Sequence, residues 1–149
     1  IGRVTEDSLV LIGHTLSNTQ ITVETDLIAA PSVRIDEGEL QQVIVNLLVN
    51  AVQAMEQDGR LTVSLFPEEF EGKAGTCLQI ADTGPGIPDE NLNTLFDPFF
   101  TTKLAEGTGL GLSISQTLIQ RAGGLIRVRN RRKRGAAFSI WLPEAPDSL

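Results

Sequence analysis

The chain has 149 residues, 41% apolar and 21% charged, with a net charge of −7. That length supports one domain with a real core, and the composition excludes wholesale disorder. No apolar run is long enough for a transmembrane helix, and the acidic balance argues against a duplex nucleic-acid binder. A single cysteine, Cys77, rules out an internal disulfide and fits a reducing, cytoplasmic setting. The opening Ile1-Gly2-Arg3-Val4 is no signal peptide, and the missing initiator methionine suggests a fragment or a processed chain.

In chain order, Leu9, Ile12 and Leu16 set a helical stripe over 5–18, with Val10 and Leu11 beside it and Gly13 weakening it. Ile21, Val23 and Thr25 alternate as a strand, and Val33 and Ile35 suggest a very short one. Asp36 with Glu39 reads as a helix N-terminal capping pair. Leu40, Val43, Ile44, Leu47, Leu48, Ala51 and Met55 then follow helical spacing, which predicts the strongest helix over 37–56, ended by Asp58-Gly59. Residues 60–66 alternate as a strand, 67–75 read as a polar loop, and 76–81 as a second strand. Residues 82–88 are packed with Gly and Pro and must be irregular. Pro88-Asp89-Glu90 opens a short helix to about Leu95, and 96–108 carry no periodicity, the mark of a functional loop or a disordered segment. Helical spacing returns over 110–122 and stops at Gly123-Gly124; 125–129 and 136–142 read as a closing hairpin before a polar tail. The predicted fold is an α/β two-layer sandwich, with a mixed sheet and helices packed on one face.

Six of the 12 basic residues crowd into one stretch: Arg127, Arg129, Arg131, Arg132, Lys133 and Arg134. The plain reading is a solvated hairpin tip; the sharper one is a docking patch for an acidic partner.

Three groups of residues invite chemistry. On the best helix, Asn46, Asn50 and Gln53 stand at i, i+4 and i+7 and share one stripe, with Glu39 about two turns earlier. Such a stripe either faces water or turns its carbonyl oxygens to a ligand or a hard cation. Asp82-Thr83-Gly84-Pro85-Gly86 follows an apolar strand, where a carboxylate can accept from an exocyclic amine; alone it could be an ordinary turn. Gly107-Thr108-Gly109-Leu110-Gly111-Leu112 opens a helix, whose free N–H groups favour an anion, with Lys103 upstream. No strand precedes these glycines, so the dinucleotide-binding version of the motif is excluded.

In this order, Asn46-Leu47-Leu48-Val49-Asn50-Ala51, Asp82-Thr83-Gly84-Pro85-Gly86, Phe96-Asp97-Pro98-Phe99-Phe100 and the glycine run 107–112 resemble the Asn, first Gly, Phe and second Gly boxes of sensor histidine kinases. The resemblance covers roughly 5–143 and is nearest to the nitrogen-regulation and dicarboxylate-sensing type. It implies the Bergerat (GHKL) ATP-binding fold, with ATP and Mg²⁺ as ligands. It assigns Asp82 to the adenine amine, with Gly84, Gly86 and Ile87 closing that loop. Asn50 would hold Mg²⁺ and Asn46 would sit beside the phosphates, with Gln53 where many histidine kinases have Lys or Arg. Thr101, Thr102 and Lys103 would belong to a lid; residues 97–107, with no apolar anchors other than Phe99 and Phe100, are expected to be the most mobile part of the nucleotide-free protein. Gly107, Thr108, Gly109, Leu110, Gly111 and Leu112 would grip the phosphates. Asn46, Asn50 and Lys103 would serve catalysis.

Asn46 also replaces the glutamate base of ATP-hydrolysing relatives, which favours transfer over hydrolysis. His14 lacks the surroundings of a phosphoacceptor. The resemblance therefore divides the chain into a connection from absent dimerisation and phosphoacceptor helices (1–20), an ATP-binding catalytic domain (21–143) and a tail (144–149). Its partners would be those helices and, indirectly, a response regulator, but no nucleic acid. The piece would be a monomer, cytoplasmic and without autokinase activity; the parent would be a homodimer, with a membrane anchor allowed. A non-catalytic nucleotide-gated module and a serine kinase of the anti-sigma-factor type share the same boxes and remain alternatives.

Overall fold

A computed structural model describes residues 1–17, 19–87, 111–132 and 134–145. The elements are α1 (Gly2–Leu16), β1 (Gln20–Leu27), α2 (Glu37–Met55), β2 (Asp58–Phe70), β3 (Lys73–Ala81), α3 (Gly111–Arg121), β4 (Leu125–Asn130) and β5 (Ala136–Pro143). The predicted short helix at 88–95 and the aperiodic stretch 96–108 fall outside the described residues.

α2 starts where Asp36 accepts the Glu39 N–H at 2.9 Å, an N-cap that satisfies one orphan donor of the first turn. It buries Leu40, Val43, Ile44, Leu47, Leu48, Ala51, Val52 and Met55, the stripe its spacing predicts. α1 begins three residues earlier than the spacing predicts, with Thr5 and Ser8 buried and bonded back to the carbonyls of Ile1 and Val4. Ile12 is buried and Leu9 and Leu16 pack on the core, whereas Val10 and Leu11 are exposed.

The five strands run in the order β1-β2-β3-β5-β4, with β1 parallel to β2 and the other pairs antiparallel. The parallel pair requires a crossover, and α2 supplies it. One register row crosses the whole sheet as Leu27, Leu65, Leu78, Ile140 and Ile126. Its neighbour two residues away holds Val63, Ile80, Phe138 and Val128. These rows meet the helices and form the core. The sheet is mixed and two-layered, as predicted. Val33 forms only an isolated bridge with Glu144, and the Gly123-Gly124 stop and the closing hairpin fall where expected.

The predicted polar loop 67–75 is instead the tip of a long hairpin. β2 continues to Phe70 and β3 starts at Lys73, leaving only Glu71 and Gly72, both at positive φ, as the two-residue turn. Pro67 is tolerated because strand groups alternate in direction. The Leu65 carbonyl accepts from Ile28 on the β1 side, so position 67 also faces that side, beyond the end of β1. The open face is not uniformly polar. Trp141 is 2% exposed, and its indole crosses β3 at Gly75 to donate to the Glu68 carbonyl at 2.9 Å. Phe70 tilts against it with ring centroids 5.3 Å apart, and Arg127 lies over Phe70 while pairing with Glu68.

Candidate functional site

Asp82 follows the last residue of β3, at the end of an apolar strand, and is 2% exposed. Its backbone N–H donates to the Ala136 carbonyl at 2.9 Å. Its Oδ1 accepts from the Gly84 N–H at 2.9 Å and from the Ala136 N–H at 3.3 Å. Both bonds use one oxygen, so neither engages Oδ2. Burial raises the carboxyl above its ordinary value, while the amides of Gly84 and Ala136 and the Arg131 guanidinium pull the other way. A buried carboxylate held rigidly by backbone suits a donor arriving from a ligand.

The loop 82–87 lies against the C-terminal half of α2. A side chain at Gly84 would meet the Ala54 carbonyl at 2.9 Å, so only glycine allows this approach. Thr83 Oγ1 accepts the Arg60 N–H at 2.9 Å and lies 3.8 Å from Met55 Sδ. Ala54 adjoins Gln53 and stands one turn beyond Asn50, so the carboxylate loop and the amide stripe meet on the same helix. At the other end of the stripe, Asn46 Nδ2 donates to Ser115 Oγ on α3 at 3.3 Å. Asn46, Asn50 and Gln53 are all half-buried, so the stripe does not face open water. Gly111 opens α3 and Leu112 packs on the core beside it. Of the predicted site residues, Asn46, Asn50 and Gln53 line α2, Gly84 of the Asp82 loop lies against Ala54 on that helix, Gly86 and Ile87 lie against Asn130, and Gly111 and Leu112 open α3, whose Ser115 meets Asn46. Thr101, Thr102, Lys103, Gly107, Thr108, Gly109 and Leu110 lie outside the described residues.

The β4–β5 turn forms the loop's other wall, which the sequence does not reveal as part of a site. Arg131 Nη1 donates to the Asp82 carbonyl at 3.0 Å and Arg134 Nε to the Gly84 carbonyl at 3.1 Å. Gly135, at φ +101°, packs so tightly on the Asp82 carbonyl that any side chain would collide with it. The basic run is therefore not wholly solvated, Arg134 is exposed despite its contact, and Lys133 lies outside the described residues. Arg127, Arg131 and Arg134 make internal contacts, and Arg129 and Arg132 are exposed. The one signal in the sequence is the glycine closing the run. A separate cavity of about 430 Å³, lined in part by Asp36, Glu39, Arg121 and Glu144, shares Glu39 with the first group but none of its amides, and no residue of the Asp82 loop.

The profile of the family described as "Histidine kinase-, DNA gyrase B-, and HSP90-like ATPase" matches residues 35–146. The sensor histidine kinase ZraS of Escherichia coli (strain K12) is 40% identical over 113 residues, which are 76% of this chain and 23% of ZraS. This chain therefore spans about a quarter of that relative. Among solved structures, the mycobacterial sensor histidine kinase MprB superposes with a TM-score of 0.82 at 30% identity, covering 98% of this chain and 95% of that one. Full-length ShkA in complex with AMPPNP superposes at 0.80 and 26% identity, covering 98% of this chain and 30% of that one. With the fold, the four motifs in order and these matches in agreement, the chain belongs to the histidine kinase-, DNA gyrase B- and HSP90-like ATPase family, on its sensor histidine kinase branch.

Proposed function

We propose that this chain is the catalytic domain of a two-component sensor histidine kinase, passing the γ-phosphoryl of Mg-ATP to a histidine on separate phosphoacceptor helices. The observation that carries the reading is Asp82: a buried carboxylate, pinned through one oxygen, beside the amide stripe of α2. Its Oδ2 accepts the N6 amine of adenine and repels the O6 of guanine. Gly84, Gly86 and Ile87 shape the loop around the base.

The amide stripe fits a magnesium site. Asn50 would hold the ion through its side-chain oxygen, and Mg²⁺, which keeps waters and takes phosphate oxygens, needs no dedicated carboxylate cage. The ion supplies charge neutralisation on the phosphates when bound. Asn46, fixed through Ser115, lies beside the phosphates and cannot accept a proton, so water is not activated there and transfer outruns hydrolysis. Gln53 extends the stripe. Thr101, Thr102, Lys103, Gly107, Thr108, Gly109, Leu110, Gly111 and Leu112 contribute lid contacts and backbone amides to the phosphates. In the transfer itself the acceptor imidazole nitrogen attacks γ-phosphorus in line, the bond to the β–γ bridging oxygen breaks, and ADP leaves.

In this reading residues 21–143 are the ATP-binding body, 1–20 the connection from the helices that carry the acceptor, and 144–149 a tail. The chain acts as a monomer with those helices as its direct partner, and a response regulator receives the phosphoryl group afterwards. No helix among the described residues is long and apolar enough to cross a membrane.

The test mixes the chain with a separately made phosphoacceptor domain, Mg²⁺ and γ-labelled ATP. Acid-labile label on the acceptor supports the reading. Nucleotide binding without transfer points to a nucleotide-gated interaction module, and acid-stable label to a serine kinase.

A further inference from the structure

We propose that Asn130 is a positioning residue that sets the base selectivity of the Asp82 loop; this rests on the reading of Asp82 as the adenine contact. Asn130 ends β4, 43 positions beyond Ile87, outside all four family motifs. Its Oδ1 accepts the Ile87 N–H at 2.8 Å and its Nδ2 donates to the Ile87 carbonyl at 2.7 Å. Only one orientation of the carboxamide satisfies both bonds, so the amide is fixed by its partners. A side chain thereby copies the exchange that a paired strand would offer, at a place where no strand runs among the described residues.

Close packing reinforces the clamp. A Cβ at Gly86 would come within 2.9 Å of Asn130 Oδ1, so glycine there leaves room for the amide as much as for a ligand. From the same turn, Arg131 and Arg134 hold the carbonyls of Asp82 and Gly84. The loop is therefore gripped at its start by β5 and the arginines, and at its end by the two Asn130 bonds to the Ile87 backbone and by the packing of the Ile87 side chain on the core. Asp82 can distinguish an amine from a carbonyl on a purine only if the base meets it at a fixed angle, and the far end of the loop sets that angle.

Asn130 is exposed and outside the core, so losing its two hydrogen bonds should lower the thermal midpoint by only a few degrees. Asn130→Ala should weaken Mg-ATP binding about fivefold, as expected if the loop holds its binding posture about one-fifth of the time without the clamp, and narrow the ratio of GTP to ATP dissociation constants. Amide exchange at Ile87 should accelerate while that of β3 stays unchanged. Asn130→Asp keeps the acceptor and loses the donor, so it should fall between the wild type and Asn130→Ala; it carries the test if the alanine variant is poorly folded. Asp82→Asn serves as the control. If that control loses ATP binding while both Asn130 variants keep wild-type affinity and base preference, the inference fails and the Asp82 reading stands. If the wild type ignores Mg-ATP, both fall.

Discussion

Asn46 on α2 donates to Ser115 on α3 across 69 positions of sequence, and Ser115 is fully buried. This bond joins the polar stripe of the central helix to the helix that follows the second glycine motif. Ser115→Ala removes the acceptor and leaves a half-buried amide seeking a partner. The expected cost is about 1 kcal/mol in urea denaturation, with weaker Mg-ATP binding by calorimetry. An unaltered midpoint together with unaltered affinity would show that the contact does neither job.

Asp82 couples binding to a stability penalty. Because burial raises its carboxyl pKa, the folded state holds the proton more tightly than the unfolded chain does. Its favourable contribution is therefore complete below the ordinary Asp value of about 4 and is lost as pH rises through the raised value. Asp82→Asn has no such charge to bury. The two proteins should be about equally stable in acid, and the variant should gain on the wild type as pH rises towards 7, while losing ATP binding. Urea midpoints at a series of pH values, with calorimetric titration at pH 7, would show this; parallel stability curves would contradict it.

Gly135 has no room for a methyl group. Its positive φ and its contact with the Asp82 carbonyl mean that Gly135→Ala must displace the carboxylate loop. A loss of about 1–3 kcal/mol is expected, with ATP affinity falling further than the lost stability explains. Chemical shifts of residues 82–87 should move while those of α1 stay in place. Wild-type affinity in this variant would argue against the hairpin as the wall of the site.

Cys77 should be inert. It is 1% exposed, and burial first, with Glu68 second, raises its pKa to about 11 despite the nearby Arg127. At pH 8 about one thiol in a thousand would be ionised. A disulfide reagent should therefore label the native protein only at the rate of its opening and label the unfolded chain at once. Fast native labelling would place Cys77 in a far wetter environment.

Much of this architecture was legible in the sequence because it rests on period and punctuation. The stripe from Leu40 to Met55 and the Asp36 cap locate α2, and the glycines at 123 and 124 end α3. The strand after Phe66 was not legible. Pro67 and the Glu68-Glu69 pair look like loop residues, and only the early end of β1 makes a proline acceptable there. At the site, Asp82, Asn46 and Asn50 could be picked out because polar groups beside apolar runs demand a reason. Asn130 and Gly135 could not, because their partners lie 43 and more positions upstream and their own neighbourhood reads as a charged turn. Long-range backbone contacts of this kind leave almost no trace in local composition.

The grip of the last hairpin on the Asp82 loop also orders events during synthesis. Loop and helix leave the ribosome first, but the carboxylate has only its local bond from Gly84 until Ala136 arrives to bond both its oxygen and the Asp82 backbone N–H. A nascent or prematurely terminated polypeptide would thus be blind to the cell's nucleotide pool. Competence would come in a single late step, once the final two strands zip onto the sheet.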